Sequence, residues 1–569
     1  MAGVYSVTVV SAQGCSTVAT TTVSVGSVLY LTIDQTQPAS ATNFTSFASA
    51  AAYLNTTGLS TQTVVNVVAG TGPYMEQLVL NQVPGASSVN TLTINGNGNA
   101  LSFCTNNANN KAIIRLNGTD FVTIDGFVLN ATCGFGWGVQ LMNGNEQVTI
   151  SNNQINLSAT LSIYGASMYG VVAANSLVDP AAMAGNISGL AITGNTINHG
   201  YAGIRLNGNT TTRASDVAIV GNTLNTPVMH GIFFSYGYNT TVNQNLVNMK
   251  RVSATQDVSS LGIYLVYIDN GLSVQGNRVM NAGHMGLWLN FVNQSSAVRG
   301  TVANNMIGGG FRSAGPMAVQ LNFASHLDMH YNSINADAGT IGIGLYVSNL
   351  ASKQISLVNN SIAYTGAGVD GRALHANDAY WNFSQVDYNN YYSTGGRYVY
   401  FNGGFRTDLA ALRASVIGGF VHDMNSWQLN PQYQSATDLH LDAASQLMSK
   451  AMPLASVTVD VDGEARSSSA PTIGADELAA APRYAAHPQA EVKVYPNPFQ
   501  SELKVEVAGM EGEVQLSLVD MTGREVYSRS YNASAGTLTV APRVQLPQGV
   551  YLLKVIHKGS TGTYRVVKQ

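Results

Sequence analysis

The chain has 569 residues, more than one typical domain, yet only 10% are charged, the net charge is −4 and 57 residues are glycine. That balance gives no basic field for nucleic acid, and no apolar run approaches the roughly 20 residues of a membrane span, so neither partner is expected. The composition suits a β-rich extracellular protein. Cys15, Cys104 and Cys133 are an odd number at unrelated spacings, with no zinc pattern and no disulfide framework. A Cys104–Cys133 bridge and two buried thiols both remain open.

In chain order, residues 1–27 come first. Gly3-Val-Tyr-Ser-Val-Thr-Val9, the turn Ala12-Gln-Gly-Cys15 and the run 18–25 predict a hairpin that cannot support itself. These residues resemble the last two strands of an immunoglobulin-like surface repeat. No basic region or apolar core follows Met1, so the expectation is a fragment whose signal peptide and true start lie upstream. Phe44-Thr-Ser-Phe-Ala-Ser-Ala-Ala-Ala-Tyr-Leu54 then has an apolar face at helical spacing.

From about residue 120 to 402 one pattern recurs. Its first half is an alternating strand, Gly-Asn or Asn-Asn, and a further β-branched residue, as in Val148-Thr-Ile-Ser-Asn-Asn-Gln-Ile155 and Leu190-Ala-Ile-Thr-Gly-Asn-Thr-Ile197. Its second half is Gly-apolar-x-apolar: Gly203-Ile-Arg-Leu206, Gly231-Ile-Phe-Phe234, Gly262-Ile-Tyr-Leu265 and Gly286-Leu-Trp-Leu289, with a degenerate copy at Gly342-Ile-Gly-Leu345. Short strands of period 2 with one turn of fixed chemistry describe the coils of a parallel β-helix. Ten coils at about 4.8 Å give a rod on the order of 50 Å. Stacking makes the columns from Val139 to Val399 and from Leu141 to Phe401 continuous inside it. The repeated Asn is expected to bond turn backbone and its equivalent one coil away.

With the helix at 44–54 and Val64-Val-Asn-Val-Val-Ala-Gly-Thr71, residues 28–478 resemble right-handed parallel β-helix, pectin-lyase-like proteins, in which a helix plugs the open end. By that resemblance His422-Asp-Met-Asn-Ser426, Thr437-Asp-Leu-His-Leu441, Asp460-Val-Asp-Gly-Glu-Ala-Arg466 and Ile473-Gly-Ala-Asp-Glu477 are closing coils. Residues 479–490, with Pro482 and Pro488, read as a linker.

The segment 491–569 predicts an antiparallel sandwich of about seven strands. Pro496 and Pro498 bracket Asn497 and prevent regular pairing before Leu503, Val505 and Val507 alternate with Lys504 and Glu506. Thr522-Gly523 marks a hairpin turn, and Gly549 precedes the most apolar strand, at 550–556, which contains Tyr551. Val494-Tyr-Pro-Asn-Pro-Phe499, Leu518-Val-Asp-Met-Thr-Gly-Arg-Glu-Val526, Leu546-Pro-Gln-Gly-Val-Tyr-Leu-Leu-Lys-Val555 and the end at Lys568-Gln569 resemble, in order and spacing, the C-terminal sorting domain of type IX secretion substrates of Bacteroidetes-type bacteria. Arg565 stands where that family usually carries Lys. The resemblance implies a partnership with the type IX machinery, an extracellular or outer-membrane-surface location, cleavage of this domain, and release or lipopolysaccharide anchoring.

Pectin-lyase-like solenoids are often polysaccharide lyases or glycoside hydrolases, which need paired carboxylates or a base beside a cation. Here Asp216, Asp269, Asp328, Asp337, Asp370, Asp378 and Asp387 are scattered. Gly283-His284-Met-Gly286, Lys250-Arg251 and Arg278 are weak candidates, and no catalytic residue is nominated. Asp460-Val-Asp-Gly-Glu464 resembles a calcium loop but lacks the remaining ligand positions, so a capping turn is expected, with calcium as the alternative and no other cofactor.

The residue x of Gly-apolar-x-apolar turns outward. Down the stack these residues read Gln140, Val172, Arg205, Phe233, Tyr264, Trp288, Gln320, Gly344, His375 and Tyr400. Two positions on come Asn207, Ser235, Asn290, Asn322, Asn377 and Asn402. An aromatic strip beside an amide strip suits a glycan groove, with Arg205, Phe233, Tyr264, Trp288, Gln320 and Asn290 as candidate contacts. The alternative is that the rings pack on one another or lie beneath a loop. The expected role is carbohydrate binding or adhesion, with polysaccharide cleavage as the alternative.

Overall fold

The computed structural model describes residues 3–10, 16–23, 27–105, 107, 109–131, 133–159, 168–250, 259–348, 352–415, 419–478, 492–507, 512–520, 525–532, 536–542, 546–557 and 560–569. Cys15, Arg251 and the expected linker 479–490 lie outside them. The chain is all-β, with 4% helix and a solenoid of about 11 turns over residues 63–401. It divides into two compact units, Met1–Leu478 and Ala479–Gln569. At the N-terminus Gly3–Val10 pairs antiparallel with Ser16–Val23.

Each coil contributes strands to three faces. The first runs into the Gly-Asn turn, the second leaves it in an 11-stranded sheet, and the third carries the Gly-apolar-x-apolar segment. The dipeptide has a separate reason at each place. Its first residue takes positive φ, 63° at Gly194, 65° at Gly221, 65° at Gly276 and 64° at Asn359, a region Gly and Asn enter most easily. Its second residue is buried and builds a ladder.

In that ladder Asn195 Nδ2 donates to Asn222 Oδ1 at 3.0 Å and to Ile150 O at 2.8 Å, while Asn195 N also donates to Asn222 Oδ1 at 3.0 Å. The same set joins Asn222 to Asn245, Asn245 to Asn277 and so on to Asn389. Ser426 Oγ closes the row by accepting from Asn389 N at 3.0 Å.

Inside, Val139, Val171, Ile204, Ile232, Ile263 and Leu287 stack in register, as do Leu141, Ala173, Leu206, Phe234, Leu265 and Leu289. Glycine precedes the first column because the second face lies close against it. A Cβ on Gly262 would sit 2.3 Å from Val279 Cγ1 and 2.4 Å from Gly286 O.

The expected helix is Phe47–Thr57, capped by Ser46, with Phe47, Ala50, Ala51 and Leu54 buried against the solenoid core. Glu76 Oε1 and Oε2 accept from Phe47 N at 2.9 Å and Ala48 N at 3.0 Å, which favours this end of the helix dipole. Cys104 and Cys133 form a disulfide, with Cα atoms 5.4 Å apart.

Two expectations are corrected. The last outward residues slip by two at one coil: Val319 pairs with Leu345 and Gln320 with Tyr346, so Tyr346 replaces Gly344 in the outer column. Gly344 instead takes the inward glycine position, where a Cβ would meet Ala373 O at 2.6 Å. Of the expected closing coils, 422–426 leads into a backbone that pairs in parallel with the last coil at Trp427, but 437–441, 460–466 and 473–477 are not coils. Residues 428–478 form an irregular strap along the turn side of the solenoid, from the coil of Asn390 back to that of Arg278.

Tyr433 Oη bonds Ser361 Oγ (2.7 Å), Tyr331 Oη donates to Met452 O (2.6 Å), Ala475 N donates to Ser333 Oγ (2.9 Å) and Arg466 Nη2 donates to Asn304 Oδ1 (2.7 Å). Leu441, Leu447, Val457 and Ile473 bury against Tyr331 beneath it.

The C-terminal unit packs a three-stranded sheet (Val492–Tyr495, Leu503–Val507, Thr537–Val540) on a four-stranded one (Glu513–Asp520, Glu525–Asn532, Gly549–His557, Ser560–Lys568). Phe499, Leu503, Val505, Leu516, Leu553 and Val566 form its own core.

Candidate functional site

The three faces differ outside. The first presents a small column, Thr93, Thr123, Thr149, Ala191, Ala218, Thr241, Ser273 and Thr301. The second presents Asn130, Asn156, Asn198, Asn225 and Asn248, bonded amide to amide for most of its length, as in Asn198 Nδ2 to Asn156 Oδ1 at 2.8 Å. The third presents six rings and one amide: Phe233, Tyr264, Trp288, Gln320, Tyr346, His375 and Tyr400 in register, all half-buried.

The rings pack on one another. Tyr264 and Trp288 stack with centroids 4.2 Å apart and planes 9° apart, His375 and Tyr400 stack at 4.3 Å, and Phe233 meets Tyr264 edge-on at 5.3 Å. A stack whose spacing matches the coil rise turns its faces along the solenoid axis and its edges outward. Sugar faces therefore cannot enter between Tyr264 and Trp288 or between His375 and Tyr400. The edges carry the positive side of the ring quadrupole and attract oxygen lone pairs instead.

The candidate residues have different surroundings. Arg205 is held at the N-terminal end, where its Nε donates to Pro180 O (3.0 Å), its guanidinium lies 4.2 Å above Phe233, and burial lowers its pKa. The same loop accepts from Gln140 Nε2 through Ser176 O (2.9 Å) and from Asn207 Nδ2 through Pro180 O (2.6 Å). Gln140, Val172 and Arg205 are thus roofed, and the open column begins at Phe233. Asn290, 8% exposed, donates to Tyr264 Oη (3.2 Å) and accepts from Asn322 Nδ2 (2.8 Å). Gln320 continues the column between Trp288 and Tyr346.

Sequence reasoning missed a second ladder three residues further on, at the corner between the third and first faces. Tyr236, Tyr267, Phe291 and Phe323 stack at 4.7, 4.8 and 4.4 Å with planes within 16°. All four have positive φ, 58°, 57°, 51° and 50°, uncommon for bulky residues. The signal was present as a ring at a fixed offset in consecutive coils, but positive φ favours Gly or Asn there, so periodicity did not suggest it. Ser235, Val266 and Asn290 lie between the two ladders.

The scattered acids and bases serve the fold. Asp269 pairs with Arg213 (3.2 Å), Asp328 with Arg299 (2.7 Å) and Asp370 with Arg397 (3.1 Å). Asp387 accepts from Asn425, and Asp337 from Gly310 N and Phe311 N. His284 Nδ1 bonds Ser313 Oγ at 2.9 Å, and Lys250 Nζ donates to Ala159 O.

Asp460, Asp462 and Asp476 converge within 4.8 Å. Asp460 accepts from the backbone of Asp462, Glu464 and Glu477, as a capping turn would. Asp462 is paired with Arg278 and with His440 Nε2 (3.0 Å). Burial, opposed by Asn377 and reinforced by Arg372, holds His375 at about 4.

In the C-terminal unit Asn497 clasps the last strand, its Nδ2 donating to Arg565 O (3.0 Å) and its Oδ1 accepting from Val567 N (2.8 Å). Pro496 and Pro498 flank it, Gly549 pairs with Lys568, and buried Tyr551 donates to Pro547 O (2.9 Å). The expected hairpin joins Glu513–Asp520 to Glu525–Asn532, though Gly523 lies outside the described residues.

Residues 493–569 match the secretion system C-terminal sorting domain family. This tail directs the protein to the cell surface or extracellular space and implies engagement by the type IX machinery. No helix among the described residues is long and apolar enough to cross a membrane. Comparison with curated proteins gives no match.

Proposed function

We propose that the exported solenoid is a carbohydrate-binding surface protein or adhesin whose third face takes an extended, uncharged polysaccharide parallel to the solenoid axis. One observation carries the reading: the open outer column of that face is aromatic or amide from Phe233 to Tyr400, while the corresponding columns of the other faces are mainly small hydroxyl or amide residues. Six steps of about 4.8 Å make the column about 29 Å long, with ring edges and tyrosine hydroxyls repeating at a spacing comparable to the advance of a saccharide chain. The column carries no carboxylate, and the cations beside it are engaged: Arg205 as above, and Arg372 by His375 Nδ1 (2.9 Å) and Asp370 O (2.6 Å). Hydroxyl-rich neutral chains therefore suit it better than uronates, and binding suits it better than cleavage. After export, the tail is cleaved and the solenoid is released or anchored to lipopolysaccharide.

The test is affinity electrophoresis of the parent and a Tyr264→Ala/Trp288→Ala variant in gels containing neutral polysaccharides. Retardation of the parent and free migration of a folded double variant are expected. Equal retardation of both would place binding elsewhere.

A further inference from the structure

At the C-terminal end of the solenoid a cleft of about 440 Å³ opens where the strap begins. This lies within the ~300–1,000 Å³ of small-molecule sites. Its wall is anchored. Trp427 N donates to Asn389 O at 2.7 Å and Trp427 O accepts from Tyr391 N at 3.0 Å, so the backbone continues the last coil. The side chains there are left open, Trp427 being 36% and Met424 58% exposed.

Lys450 Nζ lies 3.9 Å from the Trp427 ring centroid, and no carboxylate among the described residues pairs with it. Arg413 also lines the cleft and, like Arg205, is engaged by backbone carbonyls, Asp423 O (2.8 Å) and Ser426 O (2.7 Å), so Lys450 is the cation the cleft offers. No Asp or Glu lines the cleft, although the whole chain is net negative. Two carboxylates lie behind the lining residues: buried Asp423 accepts from Ser426 Oγ (2.6 Å), and Asp387 is capped by Asn425 N (2.7 Å) and Nδ2 (2.8 Å), which leaves Asn425 Oδ1 as an acceptor in a cleft also lined by Ser449 and Ser469.

We propose that this cleft is a second binding site, distinct from the aromatic column, for an acidic N-acylated sugar. Three wall chemistries converge and each asks for a different group. The Lys450 ammonium asks for a carboxylate. The indole and thioether ask for a small apolar group such as an acyl methyl. The serine hydroxyls and the asparagine carbonyl ask for hydroxyls and an amide N–H. A plain carboxylate lacks the last two and a neutral sugar lacks the first. An acidic acylamino sugar carries all three on one ring, and an exported protein meets such sugars outside the cell.

Saturation-transfer NMR and titration of the full chain with N-acetylneuraminic acid test this, with N-acetylglucosamine and N-acetyl-aspartate amide as comparators. Saturable binding of the acidic sugar, with its acetyl methyl most strongly saturated, is expected. Binding should weaken about ten-fold or more in Lys450→Met, since a charge-assisted contact is lost, and persist in Lys450→Arg and in Tyr264→Ala/Trp288→Ala. Lys450→Met keeps the aliphatic stem, and its thermal unfolding checks the fold. No saturable binding, equal binding of the neutral sugar or the acidic peptide, or an unchanged Lys450→Met would each overturn the proposal. Retention of neutral polysaccharide by the column is read separately and bears only on the earlier reading.

Discussion

The second residue of each Gly-Asn pair does more for the solenoid than its size suggests. Asn277 Oδ1 accepts from Asn245 N and Nδ2 at 3.0 Å each, and its own amide donates to Val242 O (2.7 Å) and Asn305 Oδ1 (2.9 Å). Asn277→Ala leaves several buried polar groups without partners, so a loss of at least about 2 kcal/mol is expected in urea unfolding. Such a ladder is legible in sequence because one side chain must recur at one place.

Arg466 is not legible in this way. It is buried against Glu477 (3.1 Å), bonds Asn304 and the Gly474 and Ala475 carbonyls, and lies 4.0 Å from the Tyr331 ring centroid. Nothing local announces a partner more than 160 residues away. Its replacement by Ala strands Glu477 and should cost about 3–5 kcal/mol of strap stability, read as lost amide protection across 437–478.

Among elements, the inward columns were readable because core volume and period 2 agree. Ile232→Ala and Leu289→Ala, both fully buried, should each cost roughly 2–5 kcal/mol. The single slip came where Gly342 and Gly344 both fit the motif. Only the Ile343, Leu345 and Val347 alternation, all inward, shows which glycine faces the core and that Tyr346 turns out.

The strap was unreadable as a strap because its anchors are side-chain bonds to distant coils. One anchor titrates. His440 is raised from 6.5 to about 9 by Asp462, against desolvation and with help from Asp438, and Asp462 is lowered from 3.8 to about 2, chiefly by His440. The raised histidine contributes fully below about pH 6.5 and loses its contribution as pH rises through about 9. The depressed carboxylate contributes above about 3.8 and loses it as pH falls through about 2. Hydrogen exchange near 438–441 and 460–466 should therefore be slowest between about pH 4 and 6.5, after correction for the intrinsic rate. His440→Gln should flatten the alkaline limb. Solvent screening keeps this effect small, since both side chains are partly exposed.

For the whole molecule, the two units have separate cores, and removal of 491–569 should leave thermal unfolding of the solenoid nearly unchanged while abolishing export. Normal surface display of the truncated protein would contradict the sorting role. Solenoid and tail could both be recognised in sequence, one by repetition and the other by four ordered motifs. The direction of the rings could not, because period 2 places a ring outward without saying whether its face meets solvent or the next ring.

On the proposed function, the ring column acts as one continuous binding track along the axis. Affinity measured against neutral oligosaccharides of increasing length tests this most directly. Affinity should rise with each added sugar until the chain spans about 29 Å and then level off, with the plateau reached earlier in Tyr346→Ala/Tyr400→Ala. Affinity that is already maximal for a disaccharide and flat thereafter would contradict it.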